Sequence, residues 1–266
     1  MLAGLILAAF ASYLAFRSGM LNVTGAAAST VLGTIVFSLG GWQWAVLLLL
    51  FFFTSSVLSK AYARRKLRYG EDYAKGDRRD AGQVAANGAV AATFVLLHLA
   101  FPRGAWPWIG FAGALAAANA DTWATELGVL SGLKPRLITH PSQRVEPGTS
   151  GGISVAGTLA ALGGSALIAV CTRVLDPGVG WLAVGAIAMG GLLGGVSDSL
   201  LGATIQAIYF CPVDQHETEQ HPAHSCGSPT TQVRGWTWLN NDWVNAACTA
   251  AGGTAACLLS AALATL

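Results

Sequence analysis

The sequence predicts an all-α, polytopic integral membrane bundle of about eight transmembrane helices, built as a single membrane-embedded domain over residues 1–266. Three observations predict it. First, 53% of the residues are hydrophobic and only 11% are charged, where a soluble domain carries about 25% charged residues. Second, apolar runs of about 18 residues or more recur, the length at which a helix crosses a bilayer, and the mean hydropathy is +0.54. Third, the cations cluster: eight of the fifteen Lys and Arg fall within Lys60–Arg79. This composition excludes a soluble enzyme, and no nucleic-acid partner is expected.

Taken in order, Leu2–Phe16 has no basic segment ahead of it, and its nearest cation, Arg17, follows it. It therefore reads as a first membrane helix and not as a cleaved leader. Leu21–Leu39, Trp42–Ser59 and Ala81–Phe101 are the next three spans, the last carrying the polar pair Asn87-Gly88. Trp106–Leu130 is the fifth, and it holds Asp121 and Glu126. Gly152–Leu175, Trp181–Tyr209 and Trp238–Leu266 complete the set. Spans two, six, seven and eight are rich in Gly, Ala, Ser and Thr, which lets membrane helices approach closely. Gly190-Gly-Leu-Leu-Gly-Gly195 is accordingly read as helix packing and not as a phosphate loop. Trp42, Trp44, Trp106, Trp108, Trp181, Trp236 and Trp238 stand at span ends and read as interfacial anchors. A seven-span chain with a re-entrant piece near Gly40-Gly41 is the alternative. No linker divides the chain.

Charge tests the count. If Lys60–Arg79 is cytoplasmic, alternation places Arg17, Lys134, Arg136, Arg144 and Arg234 on the same side, thirteen cations against Arg103 and Arg173 on the other. Positive charge favours the cytoplasmic side, so both termini are expected outside. The expected location is a bacterial inner (cytoplasmic) membrane with the functional groups on its cytoplasmic side.

A carboxylate at the bilayer centre costs roughly 2.5 kcal/mol or more, so intramembrane acids mark functional sites. Asp121 and Glu126 lie in Ala118-Asn-Ala-Asp-Thr-Trp-Ala-Thr-Glu-Leu-Gly128, and Asp198 lies in Gly194-Gly-Val-Ser-Asp-Ser-Leu-Leu-Gly202, two helical turns before Gln206. Thr122 and Glu126 share a helix face, as do Asp121 and Thr125, whereas Asp121 and Glu126 are five apart and reach one ion only at a helix break or a seam. Hard oxygen donors suit Mg²⁺, which takes one or two carboxylates plus substrate phosphates. The competing reading is acids neutralised by cations of neighbouring helices.

Next comes Lys134-Pro-Arg-Leu-Ile-Thr139, then Gly148-Thr-Ser-Gly-Gly-Ile-Ser154. Gly148, Gly151 and Gly152 allow backbone N–H groups to wrap an anion, Thr149 and Ser150 are candidate caps for the sixth helix, and its N-terminus attracts negative charge. Asn240, Asn241, Asp242 and Asn245 open the eighth span with more polar groups than one cap needs. Arg64–Arg68 reads as orientation signal and anionic-lipid contact. Lys75, Arg78 and Arg79, just ahead of Asn87, are candidates for a substrate phosphate. Cys211, His216, His221, His224 and Cys226 crowd one loop. Their spacing matches no standard zinc pattern, so a hydrated loop or a transient thiol pair is preferred to zinc. The odd count of five cysteines argues against a disulfide ladder.

Together these segments resemble the membrane family DUF92, also called the transmembrane protein 19 family, over nearly the whole chain. The resemblance rests on Ser18-Gly-Met-Leu-Asn22 with Gly25 and Gly33, on Arg79 with Asn87-Gly88, on Ala118–Gly128, on Lys134-Pro and Thr139, on Gly148–Ser154, on Asp198-Ser-Leu-Leu-Gly-Ala203 and on Asn241-Asp-Trp-Val-Asn245. A more distant similarity links Asp121, Ala124, Gly128, Lys134 and Gly148 to CTP-dependent dolichol and phytol kinases, with Thr149-Ser150-Gly151 where that pattern has an acid-Gly pair.

Characterised plant members of the family are phytyl-phosphate kinases of the vitamin E pathway. The resemblance thus implies transfer of a γ-phosphoryl group from a nucleoside triphosphate, CTP foremost, to an isoprenoid monophosphate. On that reading Asp121, Glu126 and Asp198 hold Mg²⁺, and Lys134 joins them as a catalytic group. Thr122, Thr139, Gly148, Thr149, Ser150, Gly151 and Gly152 hold nucleotide phosphates. Arg79, Asn87, Asn241, Asp242 and Asn245 hold the acceptor phosphate. The expected partners are the prenyl phosphate, the nucleotide and membrane lipid, with a homodimer left open. Two other classes compete. A secondary transporter suits intramembrane acids and Gly-broken helices, and a cytidylyltransferase would share the nucleotide but release pyrophosphate.

Overall fold

In a computed structural model that describes residues 1–66 and 78–265, the described residues form eight α-helices. They are α1 (Leu2–Arg17), α2 (Val23–Ile35), α3 (Trp42–Lys66), α4 (Ala81–Ala100), α5 (Trp106–Gly128), α6 (Val155–Leu175), α7 (Trp181–Thr204) and α8 (Asn241–Leu263). All eight predicted spans are helical. Six are long and apolar enough to cross a membrane: α2 continued to Gly40, α3, α4, α6, α7 and α8. α1 is apolar but shorter. α5 is the exception that matters. It is buried without a break from Pro107 to Ala120, enclosed by α3, α4, α6, α7 and α8. A helix walled by protein can carry polar groups that lipid would exclude, so the central helix is also the one that bears Asn119, Asp121 and Glu126.

Small residues make that enclosure tight. A Cβ on Gly190 would stand 2.7 Å from the Gly252 carbonyl oxygen, and one on Gly194 would stand 2.5 Å from Ala117 Cβ. The glycine run of α7 is therefore the packing surface toward α5 and α8. Asn119 joins α5 to α6, its Nδ2 donating to Gly164 O at 2.9 Å. Five of the predicted tryptophan anchors are exposed, but Trp44 and Trp108 are not: each is 6% exposed. Their rings meet at 4.8 Å and both pack on Phe111. These two are core residues: Trp44 reaches from α3 onto α5, and Trp108 on α5 is covered by it.

Helix ends explain the connections. α2 finishes in a π turn, Val36–Gly40, and Gly41 at φ 88° reverses the chain into α3. The Gly40-Gly41 pair is thus a tight turn between two helices. Asp80 and Gln83 form a reciprocal capping box at the start of α4. α6 is capped by Ser154, whose Oγ accepts from Gly157 N at 3.0 Å. Thr149 and Ser150 do not cap it, since a strand intervenes.

Two loops contain strands that the sequence did not reveal. One holds β1 (Arg136–Leu137), β2 (His140–Arg144) and β3 (Gly152–Ile153) in the antiparallel order β2-β1-β3. The other holds β4 (Ile208–Cys211), β5 (His216–Thr218) and β6 (Thr231–Arg234) in the order β5-β4-β6. The seventh span therefore ends at Thr204 and not at Tyr209. Both sheets lie at one end of the bundle. Ser150 bonds Glu219 across the two loops, and Arg234 Nη1 donates to Gly202 O at 2.6 Å. The chain before α4 pairs with the α1–α2 turn through Leu21 and Arg79. Lys75 and the side chains of Arg64–Arg68 lie outside the described residues.

Candidate functional site

At the loop-bearing end a cavity of about 590 Å³ opens between α4, α5, α6, α7 and α8. Fourteen of the sixteen site residues named from the sequence line it. α5 supplies Asp121, Thr122 and Glu126, α7 supplies Asp198, and α8 supplies Asn241, Asp242 and Asn245. Arg79 comes from the segment just ahead of α4, Asn87 from α4 itself, and Gly148–Gly152 from the loop before α6. Lys134 and Thr139 are not among the lining residues. The Lys134 ammonium pairs with the Glu146 carboxylate on the exposed surface, at the rim between the lining residues Leu133 and Pro135. Thr139 sits in the turn before β2, 3.2 Å from His140 Nδ1.

α5 runs unbroken through Gly128, so Asp121 and Glu126 keep the angular separation of a regular helix. Each meets a different neighbour. Glu126, which is buried, attracts the Arg79 guanidinium. Asp121 instead stands near enough to Asp198 for the two carboxyls to repel. Asp198 also repels Glu219, and Glu219 repels Asp242. Four acids from α5, α7, the β5–β6 loop and α8 thus converge. Asp198 Oδ2 is buried with no hydrogen-bond partner among the described residues. A buried acceptor left unmade costs about 1–3 kcal/mol, and a cation beside the acids would remove that cost.

Arg79 is held from behind. Asn22 N donates to Arg79 O at 3.1 Å, and Arg79 N donates to Met20 O at 3.0 Å. A Cβ on Gly25 would overlap the Arg79 carbonyl oxygen, so α2 approaches this segment only because residue 25 is glycine. The guanidinium lies 6.0 Å and 5.8 Å from the Phe51 and Phe52 ring centroids. Burial lowers its pKa to about 10, with Glu126 pulling the other way. It is a fixed cation at neutral pH.

The glycine loop is shaped by packing as well as by the cavity. Gly148 and Gly151 take φ 85° and 84°, and a Cβ on Gly151 would strike the backbone of Ala203 on α7. The N–H groups of Thr149 and Gly152 are already bonded within the turn, to Glu146 O and Thr149 O. The loop therefore offers fewer free backbone donors than its sequence suggests. Ser150 Oγ donates to Glu219 Oε1 at 2.7 Å, and Gln206 Nε2 donates to the same oxygen at 2.7 Å. Burial raises the Glu219 pKa, while these two bonds and Arg234 pull it down. At the start of α8, Asn240 alone makes the cap, its Oδ1 accepting from Trp243 N at 3.3 Å. Asn241, Asp242 and Asn245 line the cavity beside it.

The cysteine loop divides its residues. His221 stacks on Tyr209 at 4.4 Å, and both line the cavity. His216 stands edge-on to His224. His224 joins Cys211, Cys226 and Asp214 in a group whose ligand atoms all lie within 4.8 Å of one another. Among the described residues this is the only group of three or more such side chains that close. All five cysteines are free thiols.

Sequence reasoning missed Glu219, Gln83, Tyr209 and His221 as lining residues, and Arg234 as the strut behind them. Polar side chains in a polar loop carry no signal of their own. Gln83 did carry one, since it stands one helical turn ahead of Asn87 on the same face.

The family described as integral membrane protein DUF92 matches residues 6–253. Protein PGR of Arabidopsis thaliana is 33% identical over 260 residues, covering 88% of each chain. A membrane protein of Methanocaldococcus jannaschii is 34% identical over 190 residues, covering 71% of this chain and 76% of its own. One from Synechocystis is 31% identical over 184 residues, covering 66% and 68%. No solved structure matches.

Proposed function

The chain belongs to the DUF92 family of integral membrane proteins, and we propose that it is an isoprenoid monophosphate kinase. It transfers the γ-phosphoryl group of a nucleoside triphosphate, CTP foremost, to a phytyl or other prenyl phosphate. The bond between the γ-phosphorus and the β–γ bridging oxygen breaks, a phosphate oxygen of the acceptor takes the γ-phosphorus, and the nucleoside diphosphate leaves. The observation that carries this reading is the cavity itself. Asp121, Asp198, Glu219 and Asp242 converge there with the fixed cation Arg79, at the mouth of a helical bundle.

Phosphoryl transfer needs positioning and charge neutralisation more than covalent help from the protein. Two polyanions must meet in an acid-lined cavity, which demands a divalent cation between acid and phosphate. The orphaned Asp198 Oδ2 beside Asp121 is a donor set of the kind Mg²⁺ accepts. When bound, Mg²⁺ would offset the charge that develops on the transferring group. Asp121 and Asp198 hold that ion. Arg79 has the fork geometry that grips a phosphate in two places, and Glu126 orients it. Asn87, Asn241 and Asn245 offer neutral donors to the acceptor phosphate. The acceptor is already anionic at neutral pH, so no strong general base is required. Loop 147–152 and the α6 N-terminus, which attracts anions, face the nucleotide phosphates. The prenyl chain lies along the apolar helices beneath. Nucleotide is available on the cytoplasmic side, and the clustering of cations toward this end supports that orientation.

The test uses purified full-length protein in nanodiscs with Mg²⁺, a panel of γ-labelled nucleoside triphosphates, and phytyl, farnesyl and geranylgeranyl monophosphates. Label is expected in a prenyl diphosphate, which identifies both substrates. No label from folded protein with any pair would overturn the reading.

A further inference from the structure

We propose that Cys211, Asp214, His224 and Cys226 form a structural zinc site that fixes the wall of the cavity from outside it. The distances are those of a coordination shell. Cys211 Sγ and Cys226 Sγ are 3.6 Å apart, Cys211 Sγ and Asp214 Oδ2 are 3.6 Å apart, and His224 Nδ1 lies 3.3 Å from Cys226 Sγ. A tetrahedral ion with Zn–S near 2.3 Å and Zn–N near 2.0 Å sets its sulfurs about 3.8 Å apart and its S···N pairs about 3.5 Å apart. His224 Nδ1 and Asp214 Oδ2 are closer, at 2.7 Å. They share a hydrogen bond, and an ion entering the group displaces its proton together with those of the two thiols.

The donor set selects the metal. Two thiolates, an imidazole and a carboxylate suit a borderline-soft ion in a four-coordinate site. Mg²⁺ and Ca²⁺ want oxygen. Four protein ligands leave no open position, which is the arrangement of a structural site and not a catalytic one. Cys211 and His224 are buried while Asp214 and Cys226 are exposed, so the ion has an entry path.

The architecture supplies a reason for a staple. β4, β5 and β6 hold only 4, 3 and 4 residues, and β6 is exposed along most of its length, so the sheet has little core of its own. Cys211 closes β4, Asp214 sits in the turn before β5, and His224 and Cys226 lie in the segment that returns to β6. One ion would pin all three. None of the four ligands lines the cavity, yet Tyr209, Glu219 and His221, from the same strands and loop, do.

The test is elemental analysis of full-length protein expressed with zinc and purified without a metal-affinity tag. About one zinc per chain is expected. Cys226→Ser should lower zinc content at least about tenfold, since even outer-shell partners matter roughly 10–100-fold, while Cys257→Ser, on α8, keeps it. Should Cys226→Ser fail to fold, wild-type protein exchanged into Co²⁺ should show a thiolate-to-cobalt charge-transfer band that N-ethylmaleimide abolishes. Wild-type protein with neither zinc nor a cobalt band, a Cys211–Cys226 disulfide seen by mass spectrometry, or folded Cys226→Ser retaining full zinc would each overturn the site. These readouts are independent of kinase activity.

Discussion

Asp198 keeps a buried oxygen that no described group satisfies, and it is the only ionisable residue on α7. Asp121 faces it from α5. If the pair holds a cation, Asp121→Asn removes a ligand charge but keeps shape and hydrogen-bonding capacity. Turnover in the labelled prenyl-phosphate assay should fall by roughly 10²-fold or more, with unchanged helical circular dichroism. Near-normal turnover would count against the metal assignment. Glu219 permits a pH prediction. Burial raises its pKa, so the folded state binds this proton more tightly than the unfolded one. Its contribution to stability is then fully present below the ordinary Glu pKa and is lost as pH rises through the raised value. Glu219→Gln should flatten the fall in Tm across that window, measured by thermal denaturation between pH 4 and pH 8. A steeper fall in the variant would contradict the assignment. The intramembrane acids were legible because a charge in an apolar run stands out. Glu219 was not, because an acid in a polar loop looks ordinary. Lys134 reads as a phosphate ligand because it is a cation beside a glycine loop, and in the structure it stands at the rim, paired with Glu146 twelve residues on.

Elements show where sequence pattern is strong and where it fails. The long apolar segments became helices, and their starts follow caps at Asn22, Asp80, Ser154 and Asn240. The two small sheets were invisible because strands of two to five residues carry too little periodicity. Trp44 and Trp108 were assigned to the membrane boundary by position alone, whereas the packing of α3 on α5 buries one against the other. The α1–α2 turn shows what an N-terminal motif is for. Its residues lie far from Arg79 in sequence, yet they hold the Arg79 backbone. Gly25→Ala forces a Cβ into the Arg79 carbonyl oxygen. Overpacking of this kind costs about 1–3 kcal/mol. Tm should drop by several degrees, and the KM for prenyl phosphate should rise more than that for nucleotide. Gly88→Ala is the matched control, because its Cβ would meet only the end of Leu32 at 3.0 Å. Equal effects from both variants would mean that the Gly25 contact serves general packing and not the placement of Arg79.

At the scale of the whole molecule, the fold gathers to one end everything that a membrane interior excludes. The α1–α2 turn, the start of α4, both sheet-bearing loops and the start of α8 all meet there around the cavity. The opposite end has only short connections, such as the turn at Gly41 and the segment around Arg103. Among the described residues Arg17, Lys60, Arg78, Arg79, Lys134, Arg136, Arg144 and Arg234 follow the same division, with Arg103 and Arg173 toward the other end, and a cation bias of that kind sets orientation. The prediction is that the cavity opens to the cytoplasm. An exposed thiol, Cys226, already marks the cavity end, and Arg103→Cys would place one at the opposite end, where residue 103 is exposed. With Cys171 and Cys257, the half-exposed thiols toward that opposite end, replaced by serine throughout so that this background serves as the wild type, a membrane-impermeant maleimide added to intact cells should label Arg103→Cys and leave the wild type unlabelled. Inside-out vesicles should reverse the wild-type result unless Cys226 is held by metal, in which case labelling should follow a chelator. Labelling of the wild type on intact cells would invert the orientation. The cavity would then face away from the nucleotide pool, so this one measurement bears on the kinase reading as directly as it bears on topology.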